Sequence, residues 1–278
     1  MKRVRTAAAA AIWVLTAGMF PSGGWATQAS DPPRPVSTAP SAAKTPPRPF
    51  SEFRIVPVRV HLLRDSETAA AVTRLTEKDI ARIFKKANGI WHAAGIHLWV
   101  ESIVTEKPAS TTGYEHAASL PVAALKALRP PGSHPLRMFH VYYIGEMPPN
   151  GIFMGTDAIF VKESARLRPV EGGIDEPLPR VTAHELGHGM GLPHRQDTFN
   201  LLASGTTGTS LNDAEIDTVR SKTLAMAWVE TVEQFLRDAA KAQADKRADV
   251  ARSMYQALTE IPGDSTLKKQ AAEHLATL

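Results

Sequence analysis

The 278-residue sequence contains no cysteine, so neither a disulfide nor a lipid-modified cysteine can stabilise or anchor the mature chain. It also lacks a large excess of charge: the formal net charge is +4, and that surplus lies in the first 50 residues. The rest is almost neutral, so composition offers no electrostatic case for binding nucleic acid or an anionic membrane. A hydrophobic content of 43% and a mean hydropathy of −0.18 exclude a disordered chain and a polytopic membrane protein.

The amino-terminal residues have the layout of a secretory signal. Three basic residues precede an uncharged run over residues 6–20, and the small residues Gly24 and Ala26 then mark a cleavage site. A retained membrane anchor is the alternative, but the run is shorter than the roughly 20 apolar residues that a spanning helix needs. We therefore predict a cleaved signal over residues 1–26, a secreted or periplasmic protein, and no stable membrane insertion after cleavage.

Residues 27–50 are rich in proline, with seven prolines among serine, threonine and alanine. Proline fixes the backbone angle φ and removes a hydrogen-bond donor, so this stretch is predicted to be an extended, solvated tether. A polyproline ligand for a partner protein is the alternative. The folded part of the chain is therefore expected to begin at residue 51.

Beyond the tether, short strands alternate with helices. Alternating apolar residues from Ile55 to Leu62 predict a strand, in which Pro57 indicates an edge position or a late start. Thr76 is typical of a helix cap, and the helix after it is predicted to end at Gly95, before a second strand. The other predicted elements are a helix over 120–129, strands over 138–144 and 158–161, a helix that starts at Asn212 or Asp213 and continues to Leu236, and helices over 245–260 and 266–278. This order predicts an α/β (α+β) fold with a mixed sheet and helices on its face.

The sequence from His184 to His194 reads His-Glu-Leu-Gly-His-Gly-Met-Gly-Leu-Pro-His. On a helix, His184 and His188 lie one turn apart on the same face, so both imidazoles can reach one ion. Gly191 can take the left-handed conformation that ends a helix, and the chain can then turn back to present His194. Three imidazoles around Zn²⁺ leave one position open for water, which is typical of a catalytic site, and Glu185 can reach that water as a general base. The alternative is a buried helix whose histidines are satisfied by hydrogen bonds.

This string resembles the extended zinc-binding motif of the metzincin clan of metalloendopeptidases. The resemblance implies that His184, His188 and His194 are the zinc ligands, that Glu185 is the catalytic base, and that the partner is a peptide or protein substrate. The implied function is zinc-dependent hydrolysis of peptide bonds. Two other functions stay open: a non-catalytic, zinc-bearing module that binds peptides, and an amide hydrolase that acts on cell-wall peptides.

The resemblance also implies a zincin-like catalytic domain in two parts, with a twisted mixed sheet and the zinc helix in the upper one. The upper part covers 51–191, a smaller, mostly helical lower part covers 192–229, and a helical extension covers 230–278. Metzincins carry a methionine in a turn beneath the zinc ligands. The corresponding turn here starts at Asn200 and has Leu202 in place of the methionine, a nearly volume-conserving exchange.

Other departures favour a matrixin-like or otherwise unplaced member of the clan. No tyrosine follows the turn as an extra ligand, and without cysteine the propeptide latency of matrixins is impossible. In metzincins the strand before the zinc helix borders the cleft and pairs with an extended peptide, and the matching region here is 155–160. Gly155 is interpreted as a simple turn residue, and the alternative is that it lets a substrate backbone approach. Asp197 is expected to cap a loop or to be a solvated charge, and the alternative is that it orients a metal ligand. The remaining histidines lack ligand spacing and are assigned no metal: His61, His92, His97, His116, His134, His140 and His274.

Overall fold

The computed structural model describes residues 48–114, 122–133 and 137–278. The predicted signal and most of the predicted tether lie outside the described residues, as do His116 and His134. Phe50, at the end of the predicted tether, is already buried and belongs to a short 3-10 helix. In the described part of the chain, no helix has both the length and the apolar character needed to cross a membrane.

The described residues form a mixed α/β fold, as predicted. The strands are β1 (Arg54–Leu63), β2 (Ile96–Glu106), β3 (Phe139–Ile144), β4 (Gly151–Phe153), β5 (Ala158–Lys162) and β6 (Glu230–Thr231). The helices are α1 (Glu77–Trp91), α2 (Val122–Leu128), α3 (Pro177–Gly189), α4 (Asp213–Leu224), α5 (Val232–Ala244), α6 (Ala248–Glu260) and α7 (Thr266–Ala276). These strands form one sheet in the order β2-β1-β3-β5-β4, with β6 paired to β1. The first four strands of that order are parallel, and β4 and β6 run antiparallel to their partners.

Strand β1 lies inside the sheet, so the prediction of an edge position or a late start from Pro57 was wrong. The strand begins at Arg54 and pairs with β2 along its whole length. On its other side, β6 pairs with Arg54 and Ile55, whereas β3 pairs only from Val58 onward. Pro57 therefore lies in the gap between the pairing with β6 and the pairing with β3. Proline has no backbone N–H, and its absence is tolerated at such a gap.

Helix α1 begins as the sequence predicts. The Thr76 side chain accepts from the backbone N–H of Asp79, and the Asp79 carboxylate accepts from the backbone N–H of Thr76. This capping box satisfies two backbone donors that the first turn would leave free. Gly95, with φ of +67°, ends the short 3-10 turn after the helix and leads into β2.

The predicted single helix from residue 212 to Leu236 is wrong. Asn212 caps α4 as predicted, but α4 ends at Leu224, whose side chain is 68% exposed. The chain then forms β6, and Thr231 caps a new helix, α5. Apolar residues recur at helical spacing on both sides of the break, so their periodicity predicts one continuous helix. The pairing of β6 with β1 divides that stretch into two helices.

Alternate residues of β1 point to opposite faces of the sheet, and each face has its own core. Val56, Val58 and Val60 pack with α1 and α3 on one face. Ile55, on the other face, packs with Phe50 and with helices α5, α6 and α7. The zinc-motif helix and the carboxyl-terminal helices therefore cover opposite faces of the sheet.

Candidate metal centre

Helix α3 carries the first two histidines of the motif on a tightly packed element. Pro177 occupies the start of the helix, where its missing N–H costs nothing. Val181, Ala183 and Leu186 are buried against the sheet, as the sequence predicts. A Cβ atom added at Gly189 would lie 2.7 Å from Cε1 of Phe139, so the helix could not approach β3 this closely with a larger residue.

The third histidine reaches the site through a reversal of the chain after α3. Gly191 has φ of +93°, the left-handed conformation expected at a helix end. The N–H of Leu192 donates to the carbonyl of Gly187, and the N–H of Gly191 donates to the carbonyl of His188. These bonds fold the chain back over the last turn of the helix and place His194 beside it.

The three predicted ligand histidines meet at one point. Nε2 of His188 lies 3.1 Å from Nε2 of His184 and 3.1 Å from Nε2 of His194. One nitrogen from each ring lies within 4.8 Å of those of the other two, and within the described ranges no other group of three or more candidate metal-binding side chains is this compact.

Backbone carbonyls fix the orientation of two of these rings. The Nδ1 atom of His184 lies 2.7 Å from the carbonyl oxygen of Leu201, and Nδ1 of His188 lies 2.7 Å from that of Leu192. A carbonyl can only accept, so each Nδ1 carries the proton and each Nε2 keeps its lone pair. Two Nε2 atoms that face each other with lone pairs cannot form a hydrogen bond, because neither carries a proton. Imidazole nitrogens with free lone pairs are ligands that Zn²⁺ prefers. The residues present therefore fit the predicted metal.

Burial keeps the histidines of α3 neutral and perturbs the acid beside them. Burial, reinforced by the charge of Arg180, lowers the pKa of His184 to about 3, and burial also lowers the pKa of His188. Burial raises the pKa of Glu185 to about 8, although a hydrogen bond from the backbone N–H of Phe153 opposes that shift. Glu185 is thus a buried carboxyl next to the ligand cluster, in contact with the edge of the sheet.

A cleft of about 530 Å³ opens over Glu185 and the ligands. Its lining consists of Gly151, Ile152, Phe153, Glu185, His188, Pro193 and His194. The bordering strand is therefore β4, and the expectation that residues 155–160 border the cleft was wrong. Those residues lead into β5, which lies between β3 and β4 inside the sheet. A three-residue strand such as β4 is too short for periodicity to reveal.

Strand β4 passes directly over the carboxylate of Glu185. A Cβ atom at Gly151 would lie 2.6 Å from Oε1 of Glu185 and 2.6 Å from Cγ1 of Val181. Both distances are shorter than real Cβ contacts, so only glycine allows β4 to lie this close to α3. The Glu185 carboxylate is thereby enclosed between α3 and the edge strand.

The turn at Asn200 lies beneath the ligands. Leu202 is fully buried, and a Cβ at Gly187 would lie 3.4 Å from its Cδ1 atom, so Leu202 packs on α3 between the first two histidines. The backbone N–H of Leu202 donates to Oδ1 of Asn200 at 2.7 Å. The Asp197 carboxylate accepts from the backbone N–H of Phe199 at 3.0 Å, so this residue caps the loop, as expected.

Two buried charged residues of the site were missed by the sequence reasoning. Arg180 is 2% exposed and lies one helical turn before His184. Glu215 is 1% exposed, accepts from the Asn200 side-chain amide at 2.8 Å, and pairs with Nε of Arg195 at 2.6 Å. The spacing of four residues between Arg180 and His184 is the signal that could have revealed the first, because it places both side chains on one face.

The sequence matches no family model and no curated protein. Among solved structures, the chain is similar to mirolysin in complex with a compound, with 10% identity and a TM-score of 0.43 over 77% of this chain and 100% of that one. It is also similar to metalloproteinase-II from Bacteroides fragilis, with 13% identity and a TM-score of 0.40 over 60% of this chain and 53% of that one. Archaemetzincin from Methanopyrus kandleri has 14% identity and a TM-score of 0.40 over 63% of this chain and 97% of that one. Because the sequence identities are 10–14% and the TM-scores are 0.40–0.43, any functional conclusion has to come from the geometry of the site.

Proposed function

We propose that this chain is an exported, zinc-dependent endopeptidase. The observation that carries the proposal is the convergence of three histidine nitrogens next to a buried glutamate, at a cleft bordered by an edge strand. Three neutral imidazoles and an adjacent carboxyl form the donor set and the base of a hydrolytic zinc site.

The proposed chemistry assigns one task to each group. Zinc bound by His184, His188 and His194 would lower the pKa of a coordinated water towards about 7 and polarise a carbonyl. Glu185 accepts a proton from the attacking water and later delivers it to the amine nitrogen as the carbon–nitrogen bond breaks. The products are a carboxylic acid and an amine, which at neutral pH are a carboxylate and an ammonium ion. Strand β4 offers its outer edge to an extended peptide, which would align the bond with Glu185.

Replacing Glu185 by alanine tests the proposal most directly. The variant should retain one zinc per chain, by metal analysis, and should lose about 10²- to 10⁴-fold of the rate on labelled casein, the range for a general base. Glu77→Ala, at an exposed position in the first turn of α1, serves as the matched control and should keep the full rate. His188→Ala should bind no stoichiometric zinc.

Three results would contradict the proposal. Casein hydrolysis by Glu185→Ala at the wild-type rate would remove the base from the mechanism. Cleavage of cell-wall peptides without cleavage of casein would instead support an amide hydrolase. Stoichiometric zinc with peptide binding but no hydrolysis of either substrate would support a non-catalytic binding module.

We further propose that residues 1–26 are removed on export and that residues 27–50 tether a catalytic domain over residues 51–278. The support is the basic start, the apolar run and the proline-rich composition. Amino-terminal sequencing of protein recovered outside the cytoplasm should find Thr27 as the first residue. A mature chain that retains residues 1–26 would contradict this.

A further inference from the structure

We propose that Arg180 is a positioning residue for the metal site. Its guanidinium holds the segment 200–208 in place, so that the carbonyl of Leu201 can orient the imidazole of His184. This inference rests on the proposed function only as far as a metal binds the three histidines.

Arg180 is a buried cation that contacts backbone carbonyls. Its Nε donates to the carbonyl of Gly208 at 3.2 Å, and its Nη2 donates to the carbonyls of Asn200, at 3.4 Å, and Ala203. Among the residues that the structure describes, no carboxylate lies within ion-pair distance of this guanidinium. Burial lowers the pKa of Arg180 to about 10 and outweighs the charge of Glu185, which raises that pKa. Burying a charge without a direct ion pair is costly, so general stability gives little reason for an arginine here.

The carbonyls that Arg180 binds flank the one that His184 uses. Asn200 and Ala203 lie on either side of Leu201 in sequence, and the Leu201 carbonyl accepts the Nδ1 proton of His184 at 2.7 Å. Fixing the flanking carbonyls therefore fixes the direction of the acceptor. Outer hydrogen-bond partners of this kind orient metal ligands and set their affinity.

The guanidinium also restricts the ring of His184 directly. Nη1 of Arg180 lies 3.1 Å from Nδ1 of His184. A guanidinium has donors only, so the acceptor of the Nδ1 proton is the Leu201 carbonyl and not Arg180. That carbonyl holds the ring orientation in which Nε2 of His184 faces His188.

A second group, Glu215, contacts the same segment through other atoms, which leaves Arg180 a distinct task. Glu215 accepts from the side-chain amide of Asn200, and Oδ1 of Asn200 accepts from the N–H of Leu202. These contacts fix the side chain of Asn200 and the start of the turn. The backbone carbonyls of Asn200, Ala203 and Gly208 are bound instead by the planar guanidinium of Arg180. A single lysine ammonium cannot reproduce that set of donors.

Zinc affinity of the full chain tests this inference independently of activity. Arg180→Met and Arg180→Lys should each weaken zinc binding by about 10- to 100-fold in competition with a chromophoric chelator. Arg64→Met is the matched control, because Arg64 also donates to two backbone carbonyls, those of Thr73 and Leu75, but contacts none of the ligand histidines. It should lower Tm equally with and without zinc and leave zinc affinity unchanged.

Thermal unfolding with and without zinc separates positioning from mere stabilisation. If Arg180 positions the site, the rise in Tm on adding zinc should be smaller in both Arg180 variants than in the wild type. Zinc affinity within twofold of the wild type in a folded Arg180→Lys would overturn the inference while leaving the proposed function intact. Wild-type protein that binds zinc but hydrolyses nothing would overturn the function, and the affinities would still decide the role of Arg180.

Discussion

Replacing Gly151 by alanine should disable hydrolysis while leaving the metal site intact. The added methyl group would lie 2.6 Å from Oε1 of Glu185 and 2.6 Å from Cγ1 of Val181. Val181 is a β-branched residue on a buried helix and has little freedom to rotate. The contact must therefore be relieved by moving the Glu185 carboxylate or by lifting β4.

The size of that movement gives the expected loss of rate. Restoring an ordinary contact of 3.4 Å from 2.6 Å needs a displacement of 0.8 Å. A misplacement of about 1 Å in a catalytic group costs on the order of 100-fold in rate. Overpacking of a tight contact also costs about 1–3 kcal/mol of stability. The three atoms nearest to the new methyl group belong to Glu185 and Val181 and not to a ligand histidine, so zinc stoichiometry should not change.

The assay compares kcat on labelled casein, zinc content and urea unfolding for Gly151→Ala and for Gly89→Ala. Gly89 lies in α1, and a Cβ there would have nothing within 4 Å, so alanine should stabilise the helix by up to about 1 kcal/mol and leave the rate unchanged. A Gly151→Ala enzyme with kcat within threefold of the wild type would refute the argument that β4 confines the base.

Two further predictions concern packing and pH. Leu202→Met should cost less than about 1.5 kcal/mol in urea unfolding, because the exchange conserves volume, and a tenfold loss of zinc affinity would contradict the interpretation of Leu202 as an apolar support. Burial lowers the pKa of His97 from 6.5 to about 3, so below pH 6.5 the unfolded chain takes up a proton that the folded chain excludes. Stability is therefore complete above pH 6.5 and should fall by about 2 kcal/mol by pH 5 through this group. His97→Gln should make the unfolding free energy less dependent on pH over that interval, and an unchanged slope would count against this account.

The parts of the fold that the sequence predicts are those governed by local patterns. Thr76 and Asp79 form a capping box because the residues that make it lie three apart, and the first two ligand histidines meet because four residues make about one helical turn. Gly191 ends α3 for an equally local reason, its tolerance of positive φ. Patterns of this range need no knowledge of the rest of the chain.

The parts that were wrong or missed depend on distant contacts. Residues 225–231 leave the helical path because Glu230 and Thr231 pair with the start of β1, and nothing in their own spacing shows this. Strand β4 is the cleft border only because β5 and α3 flank it. Arg180 is a charged residue that composition would place at the surface, and its burial depends on carbonyls more than 20 residues away, such as that of Ala203.

The pairing of β6 with β1 has a consequence for how the protein folds. Strand β1 completes one end of its ladder with Glu230 and Thr231, which lie about 175 residues later in the chain. Closing such a long loop is entropically slow, and chains with many distant pairings fold late and expose strand edges meanwhile. A nascent chain that stops before residue 230 would present the start of β1 unpaired on that side, and it would lack the helices that pack against Ile55 and Trp99.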